Sequence, residues 1–333
     1  MKWYKILFIN TIIIGTLISI SSYSWFAMWM GLELNLLSFI PLMNEKTAKS
    51  SEASLKYFII QAISSTFILF SILLKLILSD NLSIMEPPFS LIFNSALLTK
   101  MGAAPFHFWF PEIIDGLSWM NNLILLTWQK IAPMVLVMYN FNSMTFFSLI
   151  IILTMLVSGV MNWNQLNIKK FFAFSSMNHM GWMLSVMFFN QSTWILYFLI
   201  YAFITLGMVT LFNTLNVSNF NQLFLILNQN KQLKLFFFLN MLSLGGLPPF
   251  LGFFPKWLVL KSLIENNLIF LAFIMIFLTL VMLYSYIRLT FNSLAIKISE
   301  INMIFVSPSL TIPFFVNFVN IAGIIIFSIL LNY

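Results

Sequence analysis

GAAPFHFWFPE (Gly102–Glu112) and GLPPFLGFFPK (Gly246–Lys256) interrupt two strongly apolar parts of the chain. Five of the eleven aligned positions are identical, and these are Gly102, Pro105, Phe106, Phe110 and Pro111 in the first copy. A proline removes a backbone donor and clashes with the preceding helical turn, so each stretch predicts a helix that breaks and leaves carbonyl groups unpaired. In lipid such groups are costly unless they face protein or water, which indicates a polar path through the interior.

The composition around these stretches is that of a membrane protein. Of 333 residues, 61% are hydrophobic and only 8% are charged, against roughly 25% charged residues in soluble domains. Since a helix needs about 20 apolar residues to cross a bilayer, the apolar runs predict about eleven transmembrane helices. We place them near 3–21, 25–43, 55–78, 89–113, 119–139, 144–162, 169–189, 193–215, 233–261, 267–291 and 312–331. The predicted fold class is an all-α polytopic membrane protein with a single transmembrane domain over residues 1–333.

The two interruptions also predict an internal repeat. Pro249 lies 144 residues after Pro105, and the copies fall in the fourth and ninth predicted segments. Segments separated by an odd number of crossings run in opposite directions, so the pattern predicts an inverted five-helix repeat with two broken helices at the transport site. The approximate halves are 1–140 and 144–291, followed by a C-terminal helix at 312–331. For either copy alone, a simple proline kink is the alternative explanation.

The basic residues are unevenly distributed between the two sides of the predicted membrane domain. Most of them fall on the side of the N-terminus, whereas the other side receives little beyond Lys75 and Lys261. The majority set is Lys2, Lys5, Lys46, Lys49, Lys56, Lys169, Lys170, Lys231, Lys234 and Lys297, with Arg288 nearby. This positive-inside pattern predicts an N-terminus on the cytoplasm-like or matrix side and a C-terminus on the opposite side. It also explains the net charge of +7 without a nucleic-acid partner.

Several kinds of chemistry lack sequence support. The chain has no cysteine and only two histidines, which excludes disulfides and thiolate-bound iron–sulfur clusters and disfavours a histidine metal site. No phosphate-binding glycine motif of the Walker A or dinucleotide-binding kind occurs. We therefore expect no metal and no cofactor in this chain.

Four charged residues lie deep in predicted spans: Glu33, Lys100, Lys130 and Lys256. On insertion scales each costs about 2.5–3.5 kcal/mol at the bilayer centre, so mutual pairing or a functional use must offset that cost. A carboxylate beside a buried lysine favours its charged form, and making and breaking such a contact would give a reversible proton site. We therefore predict these four residues as proton-carrying groups.

The two histidines, His107 and His179, are candidate relay residues because imidazole titrates near neutral pH. A hydrogen-bonded core histidine is the common alternative for each of them.

The chain resembles the subunit 2 family of mitochondrial NADH:ubiquinone oxidoreductase, which is respiratory complex I. The resemblance implies an antiporter-like subunit in the membrane arm of that complex. The similar strings cover roughly residues 22–258 and together are highly specific. They are SYSWFAMWMGLELNLLSFIPLM, EASLKYFIIQA, KMGAAPFHFWFPE, LTWQKIAP, FSSMNHMGWM and LSLGGLPPFLGFFPKW. The remaining C-terminal part matches mainly in hydropathy.

The resemblance implies roles for particular residues. Glu33 would be the glutamate of a Glu/Lys pair, and Lys100 its partner on the first broken helix. Lys130 would be the central lysine and Lys256 the exit-side lysine on the second broken helix, while His107 and His179 match positions along the polar axis. Animal mitochondrial members have about eleven helices, three fewer than bacterial relatives, which would leave part of the flank open to lipid or to partner subunits.

The resemblance also implies a setting for the chain. NADH, FMN, iron–sulfur clusters and ubiquinone would be handled by other subunits of the complex. The expected partners are other membrane-arm subunits, including neighbouring antiporter-like ones, and membrane lipid, in the mitochondrial inner membrane. The N-terminus would face the matrix and the C-terminus the intermembrane space.

Three hypotheses of function follow from these observations. The first is a subunit that contributes a proton pathway to a proton-pumping NADH:ubiquinone reductase without carrying a redox cofactor. The second is an autonomous cation/proton antiporter, and the third is a scaffold whose buried charges only pair with one another. The motif resemblance favours the first.

Overall fold

The computed structural model describes residues 3–45, 47–77, 82–141, 143–248 and 250–295, together with positions 315, 318, 319 and 323. Within these residues the chain forms fourteen α-helices and no β-strand, so the all-helical prediction is confirmed for this part of the chain. The predicted helix at 312–331 lies outside the described residues except for the four isolated positions, and Pro249 lies outside them too.

The helices have the following bounds. They are α1 (Trp3–Ser21), α2 (Trp25–Met43), α3 (Ala48–Ile77), α4 (Leu82–Met101), α5 (Trp109–Gly116), α6 (Trp119–Leu126), α7 (Trp128–Tyr139), α8 (Met144–Asn162), α9 (Ile168–Val186), α10 (Gln191–Leu215), α11 (Phe220–Gln229), α12 (Lys231–Gly245), α13 (Phe253–Glu265) and α14 (Ile269–Ala295).

Among the described residues, seven helical stretches are long and apolar enough to cross a bilayer, which is the property expected of a polytopic membrane protein. They are α1, α2, α3, the stretch from α6 through α7, α8, α10 and α14. The count of about eleven crossings stays a prediction.

Several helix boundaries differ from the predicted segments, and two of these differences have a local cause. Helix α3 begins at Ala48 rather than near residue 55, because the Thr47 hydroxyl accepts a hydrogen bond from the Ser50 amide (3.2 Å) and starts the helix in a polar stretch that hydropathy does not detect. The predicted segment 119–139 divides at Thr127 into α6 and α7. The Thr127 hydroxyl donates to the Leu123 carbonyl at 2.6 Å, a back-bond that bends helices.

The first compact unit, Met1–Ile150, contains a close backbone contact between α1 and α2. A Cβ atom on Gly31 would lie 2.6 Å from the Ser19 amide nitrogen, and one on Gly15 would lie 3.0 Å from the Asn35 amide nitrogen. Small residues at such positions let membrane helices approach each other closely. The contact holds the middle of α2, around Gly31 and Asn35, against α1.

The second compact unit, Ile151–Tyr333, contains α9, whose residues from Phe171 to Val186 are all buried. A helix that is buried on every face is surrounded by other helices, and α9 contacts α10, α13 and α14. Its start is fixed by Asn167, whose side chain accepts a hydrogen bond from the Lys169 amide at 3.0 Å. Helix α9 thus presents its polar side chains, including His179, to the interior of this unit.

Gly31→Ala tests the contact between α1 and α2. Because the new Cβ would meet backbone atoms of Ser19, the helices must separate, and we expect a loss of about 1–3 kcal/mol in stability. The measurement is the thermal unfolding midpoint of the purified protein. Gly159→Ala is the matched control, since a Cβ there would lie 3.4 Å from the nearest atom, a methyl group of Val281. Equal unfolding midpoints for the two variants would contradict the packing described here.

Candidate functional site

The first interruption ends α4 with a specific hydrogen-bonded turn. Gly102 has φ = +75°, a conformation that favours glycine. Its amide donates to the Thr99 carbonyl at 3.1 Å, and the Ala103 amide donates to the Leu98 carbonyl at 3.1 Å. This pair of bonds is a Schellman motif, which satisfies the last carbonyl groups of a helix.

The second interruption ends α12 with the same turn. Gly246 also has φ = +75°, its amide donates to the Ser243 carbonyl at 3.0 Å, and the Leu247 amide donates to the Leu242 carbonyl at 3.3 Å. Each donor and acceptor lies 144 residues after its counterpart in the first interruption. The sequence identity between the two stretches therefore extends to the local backbone conformation.

Lys100 and Lys130 line one small cavity in the first unit. Its volume is about 20 Å³, and its other polar lining residues are Asn35, Tyr57, Gln61 and Gln129. A cavity needs roughly 10–15 Å³ of this kind of volume to hold a water molecule. The space beside the two lysines is therefore large enough for about one water, and several polar groups surround it.

Two amide side chains fix the walls of this cavity. Gln61 on α3 donates to the Lys100 carbonyl at 3.2 Å, at the last turn of α4. Gln129 on α7 donates to the Asn35 side-chain oxygen on α2 at 2.9 Å. Because buried amide groups cost free energy unless they are hydrogen-bonded, these bonds hold α2, α3, α4 and α7 in register around the two lysines.

The three lysines predicted from the sequence are all buried. Lys130 is 1% exposed, Lys100 7% and Lys256 8%. The Lys130 ammonium lies 5.3 Å from the centre of the Phe110 ring, within the range of a cation–π attraction. Phe110 itself packs on the first interruption, since a Cβ on Gly102 would lie 3.0 Å from the Phe110 Cβ.

Glu33 lies in the middle of α2, and one of its carboxylate oxygens is buried without a hydrogen-bond partner in the described part of the chain. No ion pair joins its side chain to that of Lys100 within the residues that the structure covers. The predicted pair is therefore not in direct contact in this conformation.

His107 lies between α4 and α5 and is buried against Phe108, with ring centres 4.4 Å apart. Its Nδ1 atom finds no hydrogen-bond partner among the described residues. His107 is not among the residues that line the cavity of Lys100 and Lys130. The structure thus brings two of the predicted residues of the first unit together and leaves His107 apart from them.

Lys256, in the second unit, bonds directly to the interrupted backbone. Its ammonium donates to the Gly245 carbonyl at 2.8 Å, at the C-terminal end of α12, where the helix dipole favours a positive charge. The same ammonium lies 5.9 Å from the ring centre of Trp182 on α9. A Cβ on Gly246 would come within 2.9 Å of the Lys256 ammonium, so a larger residue there would displace the lysine side chain.

His179 lies one helical turn before Trp182 on α9. Its Nδ1 atom is 2.9 Å from the Tyr197 hydroxyl on α10, and its ring centre is 5.1 Å from that of Tyr201. All three side chains are buried. The histidine is thus held by α10 in the interior of the second unit.

A metal site has no support in the described residues, which contain no group of three or more His, Cys, Asp or Glu side chains that could hold a metal ion. The absence of a cofactor from this chain stays a prediction.

Several site residues were missed by the sequence analysis because they are uncharged. Asn35, Gln61 and Gln129 line or brace the cavity, Phe110 and Trp182 face the buried ammonium groups, and Tyr197 bonds to His179. The three amide residues could have been found from the sequence. An Asn or Gln side chain within an apolar span needs a buried hydrogen-bond partner, as a charged side chain does. Phe110 is one of the five positions shared by the two interruptions, but nothing in the sequence indicated that its ring faces a lysine.

Comparisons with known proteins show which family the chain resembles. The family described as NADH:quinone oxidoreductase/Mrp antiporter, TM matches residues 22–282. A protein of Anopheles gambiae named NADH-ubiquinone oxidoreductase chain 2 is 46% identical over 342 residues, covering 97% of each chain. The protein of the same name from Locusta migratoria is 40% identical over 301 residues, covering 89% of this chain and 87% of its own.

Two solved structures are similar in fold. A chain of respiratory complex I from Thermus thermophilus with bound aureothin has a TM-score of 0.83 at 21% identity, covering 98% of this chain and 77% of its own. A chain of the Mrp complex from a Dietzia species has a TM-score of 0.74 at 16% identity, covering 85% of this chain and 59% of its own.

Gly246→Ala tests the second interruption. An L-residue with φ near +75° costs about 1–2 kcal/mol, and the new Cβ would also push Lys256 away from the Gly245 carbonyl. We therefore expect a lower thermal unfolding midpoint. Gly245→Ala is the control, because Gly245 is helical and its Cβ would meet only Tyr286 at 3.5 Å. If Gly246→Ala were as stable as Gly245→Ala, neither the turn nor the lysine contact would need glycine.

Proposed function

Because the chain belongs to the NADH:quinone oxidoreductase/Mrp antiporter transmembrane family, we infer that it is a membrane-arm subunit of NADH:ubiquinone oxidoreductase. We propose further that it contributes a proton pathway to that complex and carries no redox cofactor itself. Other subunits would oxidise NADH and reduce ubiquinone, and the free energy released would change the charge states of the buried lysines of this chain.

The observation that carries the proposal is the cavity shared by Lys100 and Lys130. One water between a charged and a neutral lysine lets a proton pass from the first to the second, since water both donates and accepts a hydrogen bond. The surrounding amides of Asn35, Gln61 and Gln129 would orient that water.

The energy scale suits proton pumping. Moving one charge against 100 mV costs about 2.3 kcal/mol, and a charge at the bilayer centre costs about 2.5–3.5 kcal/mol on insertion scales. Since these magnitudes are similar, placing or removing one neighbouring charge is enough to decide whether a buried lysine holds its proton. Such control needs no metal or nucleotide in this chain.

Glu33 would provide that control in the first unit. One of its carboxylate oxygens is buried without a hydrogen-bond partner among the described residues, so it lacks a partner that Lys100 could supply. We propose that Glu33 and Lys100 approach each other in one state of the cycle and separate in another. Approach favours the charged lysine, and separation releases its proton towards Lys130.

Lys256 would be the exit-side group. Its bond to the Gly245 carbonyl uses a backbone group that the interrupted helix makes available, as expected where unwound backbone lines a polar path. His107 and His179 remain candidate relay residues in the two units. In this proposal α4 with α5, and α12 with α13, are the two broken helices of an inverted repeat.

The relatives also suggest the setting. The animal relatives are named NADH-ubiquinone oxidoreductase chain 2, which supports a multi-pass subunit of the mitochondrial inner membrane that lies beside other subunits of the complex. We propose that the N-terminus faces the matrix and the C-terminus the intermembrane space, because the basic loops lie on the N-terminal side. Neighbouring antiporter-like subunits and membrane lipid would be its contacts.

An autonomous cation/proton antiporter is the second candidate, and the similarity in fold to a chain of the Mrp complex favours it. It differs in needing no redox partner. Cation/proton exchange by the purified chain alone in liposomes would support it, and a chain inactive by itself but required for pumping by the complex would exclude it.

Lys130→Met tests the proposal. Loss of a positioned proton carrier lowers proton transfer by about 10²–10⁴-fold, so we expect pumping through this subunit to be lost while the complex still assembles. The measurement is the ratio of protons pumped to electrons transferred in liposomes, with assembly checked by native gel electrophoresis. Lys261→Met is the matched control, since that side chain is 60% exposed and should leave the ratio unchanged. An unaltered ratio in the assembled Lys130 variant would refute the role.

A further inference from the structure

The contact between His179 and Tyr197 is a polar contact that the proton pathway described above does not use. The Tyr197 hydroxyl lies 2.9 Å from the histidine Nδ1 atom, and the two side chains come from neighbouring helices, α9 and α10. Both are buried, and Tyr197 is among the largest fully buried side chains of the chain. A hydrogen bond in such an apolar interior is costly to break, because water does not replace the lost partner.

A tyrosine hydroxyl is suited to hold a histidine in either charge state. When the ring is neutral with its proton on Nδ1, that N–H donates to the Tyr197 hydroxyl oxygen, and Nε2 carries the lone pair that takes up a proton. When the ring is charged, both nitrogens carry protons, and Nδ1–H still donates to the same oxygen. The bond at Nδ1 therefore persists through a protonation cycle, and the proton that is exchanged is the one on Nε2.

We propose that Tyr197 is a positioning residue that fixes the tautomer of His179, so that this histidine takes up and releases protons only through Nε2. The inference rests on the proposed function, in which His179 is a relay residue. Tyr197 itself carries no proton along the route, because its hydroxyl keeps its own proton in both states. It restricts the histidine to a single exchanging nitrogen.

The position of His179 explains why one exchanging nitrogen is useful. Trp182 lies one turn further along α9, and the Lys256 ammonium rests over its ring. A histidine that exchanged protons through both nitrogens could pass them towards α10 as well as along the unit. The hydrogen bond between Nδ1 and Tyr197 prevents proton transfer towards α10.

Tyr197→Phe tests the proposal in the assembled complex. The change removes one hydroxyl and keeps the ring, so assembly should persist. We expect the rate of proton pumping to fall roughly three- to tenfold, the range that corresponds to the loss of one hydrogen bond. Tyr201→Phe is the matched control: Tyr201 lies one turn further along α10, its ring also packs on His179, and its hydroxyl bonds to Ser176. That variant should pump at the normal rate.

The double variant Tyr197→Phe with His179→Gln separates a positioning role from a structural one. If Tyr197 acts through His179, the tyrosine change lowers pumping in the native background and adds nothing once the histidine is replaced. An equal reduction in both backgrounds, or no reduction in the native one, would overturn the proposal. So would normal pumping by His179→Gln alone. These outcomes are independent of Lys130→Met, whose normal pumping would instead refute the proposed function.

Discussion

Backbone carbonyl groups at the two interruptions must be satisfied inside the protein, and the rest of the site depends on this constraint. In a bilayer an unpaired backbone group costs several kcal/mol, so an interrupted helix needs an internal partner for each group. The turns at Gly102 and Gly246 satisfy the carbonyls nearest the break through the same two hydrogen bonds. What remains is satisfied by side chains, and these side chains form the candidate site.

The two units use this shared turn in different ways. In the first unit an aromatic ring, Phe110, covers Gly102 and also faces the Lys130 ammonium. In the second unit Lys256 itself covers Gly246 and bonds to the adjacent carbonyl. The residue aligned with Lys256 in the first copy is Glu112, which pairs with Lys56 at 2.9 Å near the surface. The same backbone turn thus lies beside a cavity lined by two buried lysines in the first unit. In the second unit it lies beside a lysine that caps the end of the helix.

The sequence predicted the features that depend on composition and on single residues. Low charge, long apolar runs and two proline-rich stretches predicted an all-helical membrane protein, and the buried positions of Lys100, Lys130 and Lys256 followed from their place in apolar segments. The sequence did not predict which residues meet. Glu33 and Lys100 are not in direct contact, His107 does not line the cavity, and Gln61 and Gln129 brace it from other helices. These relations depend on helix rotation and packing, which hydropathy does not encode.

A shared hydrated space between Lys100 and Lys130 is the central claim, and it is tested most directly by a map of the assembled complex at a resolution that shows waters. We predict one ordered water within hydrogen-bond distance of both ammonium groups, oriented by the neighbouring amides. A dry cavity, or lysine side chains that extend to the lipid headgroups, would contradict the account.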